Sequence, residues 1–271
     1  MKRSSKTDEL APATISEADG VRYLHLGTPW VQGAMRTAKP QAIELEYVQR
    51  MMVWMLLRPE AEVTRGHAVQ LGLGAATITR FCHGVLRMRT TAVELNPTVV
   101  TACRLWFRLP ADSARLEVLE QDAGQFVADP AHVECAQVLC VDLYDHDAAS
   151  PVLDSEAFYR DCWRTLADGG VMTVNLFGRD ASFERSAQRI AAAFGDAQLW
   201  ALRPTREGNT IVVAAKGVTL PERATLAARA ENIETRFGLP ARKWLRMFRP
   251  LSPTSELTPL SSTPAVASTN P

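Results

Sequence analysis

The feature that constrains the fold most is a regular alternation of short apolar segments with helical ones across the middle of the chain. Segments with helical periodicity lie between most of the apolar segments. Such alternation indicates a mostly parallel sheet with helices on both faces. The sequence therefore predicts an α/β fold, a Rossmann-like, doubly wound and mostly parallel sheet of seven strands. These strands are predicted at 67–71, 90–95, 116–119, 136–142, 171–176, 198–202 and 210–215.

The same pattern divides the chain into five parts. A polar start and a short β-hairpin followed by a helix precede the alternating region. Ala- and Arg-rich helical segments follow it, and Pro, Ser and Thr dominate the end, a composition typical of disorder. The predicted parts are a flexible N-terminus at 1–20, a hairpin and helix at 21–60, a Rossmann-like nucleoside-binding catalytic domain at 61–217, C-terminal helices at 218–249 and a disordered tail at 250–271.

Composition narrows the class of protein. Among 271 residues, 30 are Lys or Arg and 30 are Asp or Glu, so no net charge indicates a nucleic-acid partner. The five cysteines form no CxxC pair, which argues against a disulfide framework and a structural zinc site. The start shows no signal-peptide pattern, and no apolar stretch approaches the roughly 20 residues of a membrane span. We therefore expect a cytoplasmic protein with no metal and no nucleic-acid or membrane partner.

The strongest local motif is the turn Gln70-Leu71-Gly72-Leu73-Gly74, between a predicted strand and a predicted helix. Glycines at such a turn let the backbone approach a ligand, and the helix N-terminus offers free N–H groups. An ordinary strand-to-helix turn would contain the same glycines. We interpret Gln70, Gly72 and Gly74 as part of a nucleoside-binding site.

Acidic residues follow the next three predicted strands. Glu94 ends the second strand about twenty residues after the turn, where an acid can accept both ribose hydroxyls. Asp122 and Ala123 follow the third strand, where an acid can accept from an adenine amino group, and Asp142 follows the fourth. Taken singly, Glu94 could be a solvated acid and Asp122 a helix N-cap. Because strand carboxyl ends share one edge of the sheet, the features together favour nucleoside binding.

A nicotinamide dinucleotide site is the main alternative for a glycine turn of this kind. Its fingerprint needs Gly or Ala where this chain has Thr77. It also does not require acids after the third and fourth strands. The pattern therefore favours a different nucleoside ligand.

Longer stretches of the chain resemble the spermidine synthase family of aminopropyltransferases, which share the class I methyltransferase fold. The resemblance runs from about residue 46 to residue 195 and rests on the order and spacing of several motifs. Besides the glycine turn, it includes Glu94-Leu95-Asn96-Pro97, Gln121-Asp122-Ala123-Gly124-Gln125-Phe126, Val141-Asp142-Leu143-Tyr144-Asp145, Leu153-Asp154-Ser155-Glu156-Ala157-Phe158-Tyr159 and Leu166-Ala167-Asp168-Gly169-Gly170-Val171.

The resemblance implies a transferase of polyamine biosynthesis that moves an aminopropyl group from decarboxylated S-adenosylmethionine to a polyamine-like amine. In the family, an aspartate after the fourth strand takes the amine proton, and Asp142 matches it. Asp145 matches a second family aspartate and would hold the cationic amine. Tyr47 and Tyr144 would line the amine pocket, although Tyr47 could also be a core aromatic residue of its helix. The resemblance further implies a homodimer.

The main departure from the family pattern is Ala75. The family has an aspartate at this position, which pairs with the free amine of the decarboxylated donor. Ala75 removes that counter-charge, so intact S-adenosylmethionine is an alternative co-substrate. An S-adenosylmethionine-dependent methyltransferase therefore stays open as a second function. A non-catalytic nucleoside-binding protein that kept the fold is the third.

Overall fold

The computed structural model describes residues 10–144, 153–177 and 181–252. The strands are β1 (Ala13–Ala18), β2 (Val21–Leu26), β3 (Gly33–Arg36), β4 (His67–Leu71), β5 (Arg89–Glu94), β6 (Leu116–Glu120), β7 (Ala136–Val141), β8 (Leu166–Phe177), β9 (Leu199–Ala201), β10 (Asn209–Ala215) and β11 (Arg249–Pro250). The helices are α1 (Glu46–Met51), α2 (Thr77–Arg80), α3 (Pro97–Trp106), α4 (Ala123–Ala128), α5 (Glu156–Thr165), α6 (Ala181–Phe194), α7 (Arg223–Phe237) and α8 (Ala241–Met247).

The larger sheet has the strand order β11-β9-β10-β8-β7-β4-β5-β6. Strands β8, β7, β4, β5 and β6 pair in parallel. Beyond β8, the strands β10, β9 and β11 each pair antiparallel with their neighbour. The predicted α/β, Rossmann-like, mostly parallel fold is confirmed. The predicted count of seven strands is wrong, because Arg249–Pro250 pairs with β9 and makes an eighth. Two residues at a sheet edge are too few to leave a strand periodicity in the sequence.

The smaller sheet lies at the N-terminus and has the order β1-β2-β3. The predicted hairpin corresponds to β2 and β3, but the prediction of a flexible N-terminus is wrong for Ala13–Ala18, which pair with β2. Asp19 and Gly20 join β1 to β2 with φ angles of 52° and 72°. Positive φ at both positions is the geometry of a two-residue hairpin turn, for which Asp-Gly is a strong sequence signal.

One hydrophobic core connects parts of the chain that the sequence analysis treated as separate. After α1, the chain continues as a 3₁₀-helix at Met52–Leu56, all of whose residues are buried. Met55 from this segment, Val138 from β7 and Trp244 from α8 belong to the same cluster. The C-terminal helices therefore pack on the sheet and on the segment before the glycine turn.

The end of the chain falls mainly outside the described residues. The predicted tail at 250–271 is described only to residue 252, and Pro250 belongs to β11. Within the described ranges, no helix combines the length and the hydropathy that crossing a membrane would require.

Candidate active site

A cavity of about 930 Å³ opens where the parallel strands end. Its wall combines the turns after β4, β5, β6 and β7 with the loop between β2 and β3, the start of α1 and the turn before β10. The parallel topology explains why segments distant in sequence meet here. Of the predicted site residues, those that line the cavity are Tyr47, Gly72, Gly74, Glu94, Asp122, Ala123, Asp142 and Tyr144. Asp145 lies outside the described residues.

The glycine turn has a backbone shape that other residues would not tolerate. Gly72 has a φ of 83°, and an ideal Cβ there would lie 2.1 Å from the carbonyl oxygen of Asp142. Gly74 has a φ of 50°, and its ideal Cβ would lie 3.0 Å from the carbonyl oxygen of Gln32. The absence of side chains therefore lets the turn pass between the loop after β7 and the N-terminal sheet.

Gln70 has a different position from the one expected for a ligand contact. Its side chain does not line the cavity, although it is buried. Its Nε2 donates to the carbonyl oxygens of Gly72 and Leu73, and its Oε1 accepts from the backbone N–H of Thr79 over 2.9 Å. Gln70 thus fastens the turn to α2 and shapes the cavity without facing it.

Glu94 lies at the end of β5 and is held by backbone donors. One carboxylate oxygen accepts from the N–H of Leu73 and the other from the N–H of Asn96, each over 2.9 Å. Burial raises the pKa of the Glu94 carboxyl, and these N–H groups oppose the rise. Each oxygen keeps a second lone pair, so the carboxylate can also accept from a pair of ligand hydroxyls.

The position of Asp122 is compatible with both roles that the sequence left open. Its Oδ1 caps α4 by accepting from the N–H of Gln125 over 2.9 Å. The same residue lines the cavity, with Ala123 beside it at the first position of the helix. Capping occupies one carboxylate oxygen, and the other stays available to a donor on a ligand.

Asp142 follows β7 and has two side-chain donors. Asn175 donates from Nδ2 to Oδ1 of Asp142 over 2.9 Å, and the Tyr47 hydroxyl donates to the same carboxylate. Burial raises the pKa of the Asp142 carboxyl, while the bonds from Asn175 and Tyr47 lower it, with a net upward direction. A partly desolvated carboxylate with a raised pKa is suited to accept a proton from a ligand.

The two predicted tyrosines both lie near Asp142. Burial, and then the charge of Asp142, raises the pKa of the Tyr47 hydroxyl, so it stays protonated and acts as a donor. The Tyr144 hydroxyl donates to the carbonyl oxygen of Asn175 over 2.7 Å and accepts from the N–H of Phe177. Tyr144 therefore pins the loop after β7 to the end of β8 and offers its ring to the cavity.

Three further residues at the cavity were not singled out from the sequence. Asn175 stands among the apolar residues of β8, and an amide in a buried strand is the signal that could have identified it. Gln32 lines the cavity, and its Nε2 is buried with no partner among the described residues. Glu207 lies in the turn before β10, lines the cavity and is exposed, with no ion pair or hydrogen bond within the described ranges.

The cavity wall carries negative charge. Its carboxylates are Glu44, Glu46, Glu94, Asp122, Asp142 and Glu207, and its described residues include no Lys or Arg. Two of these acids have cationic partners, since Glu44 pairs with Arg36 and Glu46 pairs with Arg50 and Lys243. Such a wall favours a cationic ligand over an anionic one.

Ala75 lies outside this wall. It is 2% exposed and packs beside Leu24 and Met35 of the N-terminal sheet. An ideal Cβ on Gly33 would stand 2.5 Å from the Ala75 nitrogen. The N-terminal sheet therefore covers the position where the family pattern places an acid.

Comparisons with known proteins agree with this architecture. No family model matches the chain. The polyamine aminopropyltransferase of Chromobacterium violaceum is 30% identical over 227 residues, which cover 83% of this chain and 84% of that protein. The polyamine aminopropyltransferase of Neisseria meningitidis serogroup B is 29% identical over 241 residues, covering 88% of this chain and 89% of that protein.

Solved structures show the same fold. A probable spermidine synthase from Corynebacterium glutamicum superimposes with a TM-score of 0.67 at 19% identity, covering 86% of this chain and 90% of that one. Human methyltransferase-like protein 13 in complex with SAH gives a TM-score of 0.61 at 21% identity, covering 79% of this chain and 98% of that one. A spermidine synthase in complex with the transition-state analogue AdoDATO gives a TM-score of 0.59 at 15% identity, covering 86% of this chain and 84% of that one.

Proposed function

The chain belongs to the polyamine aminopropyltransferase family, and on this basis we propose that it transfers an aminopropyl group from decarboxylated S-adenosylmethionine to a polyamine-like amine. The observation that carries the proposal is the Asp142 carboxylate, partly desolvated and held by Asn175 and Tyr47 in a cavity wall of acids. A cationic donor and a cationic acceptor would both be attracted to such a wall.

The strand ends would hold the nucleoside part of the donor. Glu94 would accept from the ribose hydroxyls, because its oxygens have lone pairs left after binding Leu73 and Asn96. Asp122 would accept from the adenine amino group beside Ala123. Gly72 lets the turn lie against the loop after β7 beside the ligand, since a side chain there would collide with the carbonyl oxygen of Asp142.

The transfer is a substitution at the carbon next to the sulfonium. The acceptor nitrogen attacks this methylene carbon, a C–N bond forms as the C–S bond breaks, and the sulfur keeps the electron pair. The sulfur leaves as the thioether of methylthioadenosine. Asp142 takes the proton that the amine must lose, and the cavity holds nucleophile and carbon in line.

Two observations favour the decarboxylated donor over intact S-adenosylmethionine. The wall has no described Lys or Arg that would pair with the carboxylate of the intact compound. Glu207, which has no cationic partner among the described residues, adds a site for a second ammonium group, as an acceptor with two amines would carry. A donor carboxylate in this cavity would meet like charges instead.

A methyltransferase that uses intact S-adenosylmethionine is the second candidate, because two residues favour it. Ala75 leaves the donor amine without the acid found in the family pattern. Nε2 of Gln32 has no partner in the described part of the chain, and it is a donor that suits a carboxylate. The amide of Gln32 can also turn by 180° and present its oxygen to an ammonium group, so this residue alone does not decide.

Product analysis separates the two reactions. The purified protein is incubated with a diamine and either the decarboxylated or the intact donor, and products are identified by mass spectrometry. Aminopropyl transfer yields methylthioadenosine and an acceptor enlarged by one aminopropyl group. Methyl transfer yields S-adenosylhomocysteine and a methylated acceptor. Absence of both, with the nucleosides still bound in calorimetry, would support a non-catalytic binding protein.

The homodimer implied by the family resemblance and the cytoplasmic location expected from the sequence stay predictions. Light scattering of the purified protein measures the first, because a dimer of a 29.8 kDa chain has twice that mass. Fractionation of cells that express the protein tests the second.

A further inference from the structure

A chain of three side chains leads from the turn before β10 to Asp142. The Thr205 hydroxyl donates to Oδ1 of Asn209 over 3.4 Å, and Nδ2 of Asn209 donates to Oδ1 of Asn175 over 3.1 Å. Nδ2 of Asn175 then donates to Oδ1 of Asp142 over 2.9 Å. We call Thr205, Asn209 and Asn175 the amide relay.

The hydrogen bonds of the amide relay all donate toward Asp142. Because Asn209 donates to the oxygen of Asn175, the Asn175 amide must turn its NH₂ group toward Asp142. The opposite orientation would set the Asn175 oxygen against the carboxylate and the NH₂ groups of the two amides against each other. The Thr205 hydroxyl donates to the oxygen of Asn209, so the Asn209 amide turns its NH₂ group toward Asn175. Thr205 is buried, and its hydroxyl accepts from the backbone N–H of Asn209 over 3.1 Å.

The relay is not needed to join the strands that carry it. Strands β8 and β10 already pair along seven registered residues, from Asn209 opposite Phe177 to Ala215 opposite Val171. Tyr144 separately fastens the loop after β7 to the end of β8. The two amides therefore call for an explanation outside strand pairing.

We propose that Asn175 and Asn209 are positioning residues, which keep the Asp142 carboxylate oriented and ionised for proton transfer from the acceptor amine. The proposal rests on the proposed function of Asp142. A donated N–H stabilises a carboxylate over its neutral acid and fixes the direction of its remaining lone pairs. Outer partners of this kind change activity without touching the substrate, as they do around metal ligands, by about 10- to 100-fold.

The test uses Asn209→Ala, which removes the relay without touching Asp142. We expect kcat to fall about tenfold or more, while the affinity for methylthioadenosine in calorimetry stays within about twofold. The acid limb of the pH profile of kcat should move to higher pH, because Asp142 loses an oriented donor. Asn175→Asp should move that limb further, since a second acid replaces the donor.

One control separates the relay from a loss of folding. Asn232→Ala removes an amide that bonds Glu60 away from the cavity, so its kcat and pH profile should match those of the wild type. An Asn209→Ala protein that binds methylthioadenosine and has wild-type kcat and pH profile would overturn the proposal. An inactive wild-type protein would instead overturn the proposed function, and the relay proposal with it.

Discussion

Gly33 of the N-terminal sheet lies against Ala75 of the glycine turn, so closely that an ideal Cβ on Gly33 would be 2.6 Å from the Ala75 Cβ. This contact joins the small sheet to the glycine turn and fills the space beside it. It also means that the family aspartate could not be restored here without cost.

The substitution Ala75→Asp should therefore destabilise the protein. A carboxylate would be placed in a position that is 2% exposed and packed by Leu24 and Met35. Burying an unpaired charge at such a site should lower the free energy of unfolding by about 2–4 kcal/mol. Urea unfolding measures the change, with Ala228→Asp on the exposed face of α7 as control. Unchanged stability together with tighter binding of the decarboxylated donor would show that the acid reaches the cavity.

Asp142→Asn should separate binding from turnover. The amide keeps the shape of the side chain but cannot take a proton, so kcat should fall about 10²- to 10⁴-fold. Affinity for methylthioadenosine should change little, because the strand-end residues that hold the nucleoside are untouched. Calorimetry and a product assay measure the two quantities, and Asp168→Asn, an exposed acid, is the matched control. Turnover near the wild-type rate would remove Asp142 from the role of base.

Glu94→Gln should weaken the binding of every nucleoside ligand. The new NH₂ group would face the N–H of Leu73 or of Asn96, and one charged acceptor for the ribose is lost. Charge-assisted hydrogen bonds contribute about 1.5–3 kcal/mol, so affinities should fall roughly 10- to 100-fold. Titration calorimetry with methylthioadenosine measures this loss. Glu117→Gln, on the exposed side of β6, should leave the affinity unchanged.

Glu207→Gln should affect an acceptor with two amines more than one with a single amine. The residue has no cationic partner within the described ranges, and we expect it to pair with the distal ammonium of a diamine. KM for the diamine should rise about 3- to 10-fold, in line with a mostly exposed ion pair of about 1 kcal/mol. Steady-state kinetics with a diamine and a monoamine of equal chain length compare the two. An equal change for both acceptors would contradict the assignment, and Glu222→Gln serves as control.

His67 should make the stability depend on pH in the acid range. Burial lowers the pKa of its imidazole to about 4, and the ring bonds Thr91 and the carbonyl oxygen of Cys135. Between about pH 6.5 and 4 the unfolded chain binds a proton that the folded chain does not, so stability falls as the pH falls. The loss is at most about 3 kcal/mol, and less to the extent that solvent screens the ring.

The His67 contribution can be isolated by difference. Other acids titrate in the same range, so the free energy of unfolding of His67→Gln should be subtracted from that of the wild type at each pH. The difference should shrink as the pH falls from 6.5 to 4 and stay constant above 7. A constant difference over the whole range would show that His67 titrates alike in both states.

The sequence predicted the fold because the relevant signals are local and periodic. Apolar runs marked the strands, and glycines or acids marked their ends, so Gly72, Glu94, Asp122 and Asp142 could be assigned to one edge of the sheet. The signal for β1 was present in Asp19-Gly20 and was missed. The two-residue strand β11 had no signal, because an edge strand so short forms only through its pairing with β9.

The sequence by itself determined which residue types stand at the strand ends, since the order of strands and turns is written along the chain. Only the tertiary structure decided what those residues meet. It turned Gln70 away from the cavity, buried Ala75 under Gly33, and brought Asn175 and Asn209, 34 residues apart, to 3.1 Å from each other and in line with Asp142. Contacts of this kind depend on strand register and packing between distant segments, which local periodicity does not encode.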